Sequence, residues 1–386
     1  MIYLDNSSTT HTDPEVLEAM LPWLSSGYGN ASSTHTIGSL ARVTLEDARG
    51  TIAQHLGVDA KEIVFTSGGT ESNNTAIKGA IFQQHLVGVS FSQQSILTSK
   101  AEHHSVLHPI EFLEKLGVQQ EFAQIDASGI VLMDSLAQSL RKNTSLVTFM
   151  MVNNEIGSIN PIQELATIVR SNAPNTLIHT DAVQALGKLR FNARTLGVDL
   201  LSLSAHKIHG PKGIGALYSK SGTKLEPFMH GGAQERNRRG GTEAVALAVG
   251  FAKAVELLEK KWSASEAHMR ELSIFLKSML SYIPQVVMNL SSDAQCVDSI
   301  INFSFTPATL KKIDGEALLM RLDLEGIAIS NGSACTSGSQ QPSHVLLAIG
   351  KSEKVAASSI RVSLSRESTQ EDITQFIAAL KRVLPV

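Results

Sequence analysis

Residues 198–213 read VDLLSLSAHKIHGPKG, so Lys207 comes directly after an apolar run and before a glycine-rich segment. The apolar run has the length of a buried strand, and the glycines and proline after it are typical of a turn. A lysine at the end of a buried strand is poorly solvated, which lowers the pKa of its amine and makes it a usable nucleophile. An ordinary surface lysine at a strand end would give the same local pattern. The choice between a nucleophilic and a surface lysine therefore depends on the rest of the sequence.

Apolar runs of strand length alternate with helical patterns through most of the chain. The predicted strands are 62–66, 95–98, 146–152, 176–179, 200–204 and 215–218, and the helices predicted between them are 72–85, 105–116, 161–171 and 181–186. This alternation indicates an α/β domain with a mostly parallel sheet. Active groups in such sheets collect at the carboxyl ends of the strands, so the polar segments that follow the strands are the candidate site residues.

A long helix is predicted from 243 to about 282, and the pattern changes after it. The later predicted strands are 299–305, 327–330 and 360–364, and the later predicted helices are 313–322, 343–349 and 370–383. We therefore expect a large α/β domain at 13–260 and a smaller α+β domain formed by 1–12 and 261–386. The long helix would join the two.

The composition excludes several classes of protein. The chain has 386 residues, of which 42% are hydrophobic, so it can bury a large core. Its net charge of -3 and the lack of a basic stretch give no indication of nucleic acid or a membrane surface as a partner. We expect no secretory signal, and no apolar run is long enough to span a membrane. Two cysteines are too few for a disulfide framework, and a cytoplasmic location is expected.

The segment TSGGTE at 66–71 ends a predicted strand and opens a predicted helix. Glycines let backbone N–H groups approach an anion, and a helix N-terminus favours negative charge, so Gly69 and Thr70 are candidate phosphate ligands. The segment lacks the endings of nucleotide and dinucleotide loops. A plain helix cap by Ser67 or Thr70 would also explain it.

Two adjacent histidines, His103 and His104, follow the strand at 95–98. A histidine at this position can stack on an aromatic ligand or move protons, although a capping or core histidine is the commoner case. A pair of histidines also suggests a metal site formed together with His206, His209 and Cys335. No second pair of ligands at metal-binding spacing accompanies them, so no metal is expected.

Further polar groups follow other strands. Asp181 can keep a pyridinium nitrogen protonated, or it can cap a helix. Asn154 lies in the polar turn NNEIG at 153–157. Arg361 lies on a predicted strand and suits a substrate carboxylate, or a salt bridge on the surface. The glycine- and arginine-rich loop at 230–243 can meet a phosphate or a partner subunit.

The segment GSACTSGS at 332–339 surrounds Cys335 with small polar residues and glycines. Such a segment predicts an accessible loop, and an exposed thiol can ionise and act as a nucleophile. Cys296 has no comparable setting, and we interpret it as structural.

Taken in order, these segments resemble the pyridoxal-phosphate-dependent cysteine desulfurases of the IscS/NifS type, within the class V aminotransferase superfamily. The resemblance runs from Tyr3 to the strand that carries Arg361, and it rests on the lysine segment, NNEIG and GSACTS in combination. It implies the aspartate aminotransferase-like fold of pyridoxal-phosphate-dependent transferases, with pyridoxal 5'-phosphate as the cofactor. The smaller domain would carry the catalytic cysteine loop at about 330–342.

The resemblance also implies roles for individual residues. Lys207 would bind the cofactor covalently and move the Cα proton, His104 would stack on its ring and assist proton transfer, and Cys335 would accept the sulfur. Asn154 and Arg361 would hold the substrate carboxylate. The remaining implied cofactor ligands are Asp181 at the pyridine nitrogen, Gln184 at the phenolic oxygen, Gly69, Thr70, Ser204 and His206 at the phosphate, and Thr242 at the phosphate of the other subunit.

The implied reaction converts L-cysteine to L-alanine and leaves the sulfur on Cys335 as a persulfide. The sulfur would pass to an acceptor protein, a scaffold for iron–sulfur assembly or a thiolation enzyme, that docks near the Cys335 loop. A homodimer is implied by the contact of Thr242 across subunits, although Gly240 stands where family members commonly have a serine. The alternatives are a selenocysteine lyase, another lyase or aminotransferase of the same fold, and an inactive sulfur-relay protein. The complete set of functional groups argues against the last.

Overall fold

The computed structural model describes residues 1–332 and 342–385. Its strands are β1 (Ile2–Tyr3), β2 (Ile63–Thr66), β3 (Ser95–Thr98), β4 (Gln119–Phe122), β5 (Thr144–Thr148), β6 (Leu177–Asp181), β7 (Leu200–Ser204), β8 (Gly215–Ser219), β9 (Val286–Met288), β10 (Ile300–Phe305), β11 (Ile327–Ala328) and β12 (Ile360–Ser363).

The helices of the described residues complete the element order. They are α1 (Pro14–Leu24), α2 (Thr36–Leu56), α3 (Gly69–Leu86), α4 (His104–Glu114), α5 (Met133–Ser139), α6 (Ile162–Asn172), the single turn α7 (Gln234–Asn237), α8 (Val245–Ser281), α9 (Pro307–Leu310), α10 (Gly315–Leu324), α11 (His344–Ala348), α12 (Glu353–Ser358) and α13 (Gln370–Val383). Among these described residues, no helix combines the length and apolar character that crossing a membrane requires.

A seven-stranded sheet organises the first part of the chain, with the strand order β2-β8-β7-β6-β5-β3-β4. Only β8 runs antiparallel to its neighbours, β2 and β7. The other pairs are parallel, so the carboxyl ends of six strands share one edge of the sheet. The predicted α/β class with a mostly parallel sheet is confirmed.

Strand β4 and the segment that follows β6 differ from the prediction. The edge strand β4 was not predicted, because Gln119–Phe122 is polar and half-exposed and so has no apolar run. The predicted helix at 181–186 is wrong. Asp181 is the last residue of β6, and turns follow it until Gly187, whose φ of 80° ends the segment. Those few residues are too short to form a stable helix.

The long predicted helix is present as α8, which has 37 residues. Its first half packs against α1 and α2 and joins the core of the large sheet. Leu272, Leu276 and Leu280 follow at helical spacing and join a second core. Because α8 is continuous through residue 260, the predicted domain boundary there lies inside a helix and stays a prediction.

The second core covers a small antiparallel sheet of β12, β10 and β9, with α10 and α13 beside it. Leu4 of the N-terminal segment belongs to this core. From there the segment crosses to the large sheet. The Nδ2 atom of Asn6 donates to the carbonyl oxygen of Ser363 at 2.8 Å, and the backbone N–H of Thr10 donates to that of His206 at 2.9 Å. The N-terminal segment therefore joins the small sheet to the segment that carries Lys207.

Candidate active site

A cavity of about 320 Å³ lies at the carboxyl edge of the large sheet. Its walls come from the N-terminal segment, from the ends of five parallel strands and from the small sheet. The lining residues are Ser7, Ser8, Gly69, Thr70, Asn73, His103, Ser105, Met150, Val152, Asn154, Asp181, Val183, Gln184, Ser204, His206, Lys207, Gly332 and Arg361. Most of the residues proposed from the sequence are therefore brought together in one place.

Lys207 ends a single turn of helix directly after β7. Its Nζ atom donates to the carbonyl oxygen of Ser8 at 2.8 Å and to that of Ser7. The N-terminal segment was not predicted to hold the lysine, because its backbone oxygens carry no signal in the sequence. Beside Lys207, burial and then the lysine charge lower the pKa of His206 to about 4. His206 is therefore neutral and can donate or accept a hydrogen bond in the cavity.

Asp181 is the last residue of β6 and is buried. Its Oδ1 atom accepts from the backbone N–H of Val183 at 2.9 Å, and its Oδ2 atom accepts from Nδ2 of Asn73 at 2.7 Å. Burial raises the pKa of Asp181 above its usual range, while these hydrogen bonds and the charge of Lys207 act in the opposite direction. A positive group placed in the cavity would therefore stabilise the ionised carboxylate.

The structure places His103, and not the expected His104, on the wall of the cavity. His103 is the N-cap residue of α4, and its Nδ1 atom accepts from the backbone N–H of Ser105 at 3.1 Å. His104 is the first residue of the helix, and its ring packs against those of His108 and His344 instead. Burial and the charge of Lys207 lower the pKa of His103 to about 4.

The N-terminus of α3 forms the wall beneath Lys207. Gly68 precedes the helix with a φ of 150°, a conformation that residues with a Cβ rarely adopt. A Cβ on Gly69 would lie 2.6 Å from Cγ2 of Val183, so the backbone can come this close only as glycine. Gly69 and Thr70, the first two residues of α3, line the cavity, and the first N–H groups of a helix have no partner within the helix itself. The anion site that the sequence predicted at these residues stays a prediction.

Arg361 is buried on β12 and reaches the cavity from the small sheet. Its Nη2 atom donates to Oδ1 of Asp5 and to Oγ of Ser8, both at 2.7 Å. Its Nη1 atom donates to the carbonyl oxygen of Asn154 at 2.9 Å. The Oδ1 atom of Asn154 is buried, and so is Nε of Arg361. Neither atom has a hydrogen-bond partner among the described residues.

Gln184 lines the cavity beside the N-terminal segment, as expected, and its Nε2 atom donates to the carbonyl oxygen of Ser7 at 2.8 Å. Behind it lies Lys188, which was not predicted. The Nζ atom of Lys188 donates to Oε1 of Gln184 at 2.6 Å. Its sequence signal is weak, since a lysine after Gly187 reads as an ordinary turn residue.

Besides His104, the predicted site residues Thr242 and Cys335 lie outside the cavity or the described residues. Thr242 lines a separate recess with Arg239 and Ser67, and not the cavity of its own chain. Cys335 lies in 333–341, outside the described residues. Cys296 is described, and burial raises the pKa of its thiol to about 11. The thiol is therefore protonated near neutral pH, which fits the structural role expected for it.

The family model for class-V aminotransferases matches residues 2–376, and the chain belongs to this family. The chain is 45% identical to the cysteine desulfurase IscS of Dictyoglomus turgidum, over 99% of its own length and 94% of that relative.

Two solved structures extend the comparison. The structure of a NifS-like protein gives a TM-score of 0.90 at 34% identity, covering 99% of this chain and 98% of that one. A structure of SspA in complex with cysteine gives a TM-score of 0.82 at 34% identity, covering 96% of this chain and 100% of that one. These matches confirm the predicted fold class and family.

Proposed function

We propose that the protein is a cysteine desulfurase that converts L-cysteine to L-alanine and transfers the sulfur to Cys335. The observation that supports this proposal most directly is the meeting of Lys207, Asp181 and Arg361 in one cavity. These residues are an amine, a buried acid and a group for a carboxylate, and they come from three separate parts of the chain. The named relatives favour this activity over a selenocysteine lyase or an aminotransferase.

The cavity fits pyridoxal 5'-phosphate. Asp181 suits a protonated pyridine nitrogen, because a neighbouring positive charge would offset the burial of the carboxylate. Gly69 and Thr70 at the start of α3, with Ser204 and His206, would hold the phosphate, and Gln184 would donate to the phenolic oxygen. When bound, the cofactor supplies a ring that accepts the electrons left at Cα of an amino acid.

We assign the stacking role on the cofactor ring to His103 in place of His104. His103 lies on the cavity wall, and its neutral imidazole presents a flat face and a hydrogen-bonding nitrogen. A histidine of lowered pKa accepts a proton only transiently, which suits assistance in proton transfer beside Lys207. Lys207 would itself remove and return the proton at Cα of the substrate.

Arg361 and Asn154 would bind the carboxylate of L-cysteine. The buried Oδ1 atom of Asn154 and Nε of Arg361 have no partner among the described residues, so the site has hydrogen-bonding capacity to spare. An arginine held by Asp5 and Ser8 is already oriented before substrate arrives, which reduces the entropy cost of binding.

The Cys335 thiolate would attack the sulfur atom of the substrate and so remove it. An S–S bond forms, and the C–S bond breaks with its electrons going to the carbon side. The β-carbon takes up a proton, equivalent to the one that the Cys335 thiol gave up on ionisation, and Lys207 returns the proton to Cα so that alanine leaves. Cys335 then holds a persulfide. The protein would pass this sulfur to an acceptor protein that docks near the 330–342 loop, and its location in the cytoplasm stays a prediction.

The protein would act as a homodimer. Leu17, Leu21 and Leu24 lie on one side of α1 and are 49%, 53% and 60% exposed. Ile37 and Leu40 add exposed apolar surface on α2. Exposed apolar surface of this kind marks a protein–protein contact. The division into a large domain at 13–260 and a small domain formed by 1–12 and 261–386 is part of the same proposal, and α8 would join the two.

The test is the release of sulfide and alanine from L-cysteine, with pyridoxal phosphate and a thiol reductant present. Equal amounts of both products are expected from the unchanged protein. Cys335→Ala should keep the bound cofactor and lose both products, whereas Cys296→Ala, the matched control, should behave like the unchanged protein. If Cys335→Ala kept full activity, or if the cofactor-loaded protein released no alanine, the proposed function would be wrong.

A further inference from the structure

Lys188 is a half-buried lysine immediately behind the cavity. It follows Gly187 in the turns after β6, and its ammonium donates to Oε1 of Gln184. No other hydrogen bond of its side chain is present among the described residues. Gln184 in turn donates to the carbonyl oxygen of Ser7, which also accepts from Lys207. Lys188 therefore contacts the cavity only through Gln184.

The direction of these hydrogen bonds is determined by their chemistry. The protonated form of Lys188 has only donors, so the atom of Gln184 that faces it has to be the oxygen. A backbone carbonyl is only an acceptor, so the atom that faces Ser7 has to be the NH₂ group. Both ends of the amide therefore require the same orientation. A glutamine without Lys188 would lose one of the two constraints.

The surroundings of Lys188 do not favour a charge for stability alone. The charged groups that act on it, Lys207 and Arg361, are both cations. Burial and these two charges lower the pKa of Lys188 to about 7. A desolvated lysine with no carboxylate partner among the described residues costs free energy of folding, so a role at the cavity accounts for it better than a role in the fold.

We propose that Lys188 is a positioning residue, which locks the amide of Gln184 so that its Nε2–H group is presented to the phenolic oxygen of the cofactor. The inference rests on the proposed function in one respect, the identity of the cofactor. It goes beyond that function by naming the residue that decides whether Gln184 presents a hydrogen-bond donor or an acceptor to the phenolic oxygen. Lys188 would touch neither cofactor nor substrate.

A donor at the phenolic oxygen favours its deprotonated form. Loss of the orientation should therefore raise the pH at which the absorbance of the bound cofactor titrates. The experiment measures this apparent pKa in the cofactor-loaded protein, together with the dissociation constant of the cofactor. Lys188→Met should raise the apparent pKa by about half a unit or more and weaken cofactor binding several-fold. Lys220→Met, which removes an exposed lysine, should change neither value.

Two further variants separate positioning from a purely structural role. In a Gln184→Leu background, Lys188→Met should cause no additional shift, because the amide through which it acts is gone. Lys188→Arg should restore the original apparent pKa, since it keeps a donor for Oε1 and a cavity of about 170 Å³ beside Lys188 leaves room for the larger side chain. Thermal unfolding of the cofactor-free proteins checks that each variant is folded.

An unchanged apparent pKa in folded Lys188→Met would overturn the inference, and so would a full additional shift in the Gln184→Leu background. These outcomes leave the proposed function intact as long as the unchanged protein binds the cofactor and releases alanine. If the unchanged protein bound no cofactor, the proposed function would fail and this inference with it.

Discussion

The Nδ2 atom of Asn73 donates to Oδ2 of Asp181 at 2.7 Å and, with its second hydrogen, to Oγ of Ser105 at 2.8 Å. Because Ser105 accepts from Asn73, its own hydroxyl hydrogen is available to Nδ1 of His103, 2.7 Å away. The backbone N–H of Ser105 also donates to that nitrogen. The neutral ring of His103 therefore carries its hydrogen on Nε2. One chain of hydrogen bonds orients both the buried acid and the histidine of the cavity.

Replacement of Asp181 by asparagine should lower the rate of alanine release by on the order of 100-fold, because a neutral amide no longer favours a protonated pyridine nitrogen. The same variant tests the raised pKa without cofactor. Above its raised folded pKa the ionised Asp181 costs stability, and this cost is absent below the usual carboxyl pKa near 3.9. The cofactor-free variant should therefore lose less stability than the unchanged protein as the pH rises from about 4 to 8.

Urea unfolding of both cofactor-free proteins over that pH range measures the difference. Asp126→Asn is a suitable control, since no hydrogen bond of Asp126 reaches the cavity among the described contacts. Parallel pH profiles for Asp181→Asn and the unchanged protein would show that burial does not raise the pKa of Asp181.

Replacement of His103 by alanine should lower turnover by about 100-fold or more and should alter the absorbance spectrum of the bound cofactor. The matched variant His104→Ala should retain turnover within a few-fold, because His104 packs against His108 and His344 away from the cavity. Steady-state alanine release and absorbance spectra of both variants make the comparison. The opposite ranking would return the stacking role to His104.

The choice between these two histidines shows where the sequence stops being informative. The two are adjacent in the sequence, and their chemistry is identical. The difference is that His103 is the N-cap, with φ of -64° and ψ of 148°, whereas His104 already has its place in the first helical turn. A side chain on the first turn follows the helix, so His104 meets His108 one turn later. Only the exact start of the helix decides, and sequence patterns leave helix ends uncertain.

Other parts of the fold and site followed from the sequence because their signals are local. Lys207, Asp181 and Gly69 each lie at or within three residues of the carboxyl end of a buried strand, and a parallel sheet brings such positions to one edge. The contacts that cross between distant parts of the chain could not be predicted. The carbonyl oxygens of Ser7 and Ser8 reach Lys207 across about 200 residues, and backbone acceptors have no residue type that marks them. The contact of Lys188 with Gln184 likewise depends on the direction in which the turn after β6 points its side chains, which the sequence does not reveal.

The stability of the region around the seven-stranded sheet can be tested at a buried ion pair. Nη1 and Nη2 of Arg49 donate to the two carboxylate oxygens of Glu235 at 2.6 and 2.8 Å, and both side chains are buried. Arg49→Met should lower the free energy of unfolding by about 3–5 kcal/mol, because it leaves Glu235 as an unpaired buried charge. The double variant Arg49→Met/Glu235→Gln should recover much of this loss.

The matched control for that pair is Arg141, whose salt bridge with Glu121 is exposed. Arg141→Met should cost less than about 1 kcal/mol. Urea unfolding of the three variants and the unchanged protein gives the comparison. Equal losses for Arg49→Met and Arg141→Met would contradict the importance of burial at the first pair.

Replacement of Arg361 by lysine should raise the KM for L-cysteine by about 10–100-fold and reduce kcat much less, because lysine cannot make the two parallel hydrogen bonds that a carboxylate accepts from a guanidinium. The suitable control is Arg366→Lys, since Arg366 follows the same strand but pairs with Asp13 outside the cavity. That variant should keep the KM of the unchanged protein. Steady-state kinetics of both variants separate the two outcomes. A fall in kcat at constant KM for Arg361→Lys would instead place Arg361 in the chemical step, and the assignment of the carboxylate site would have to be abandoned.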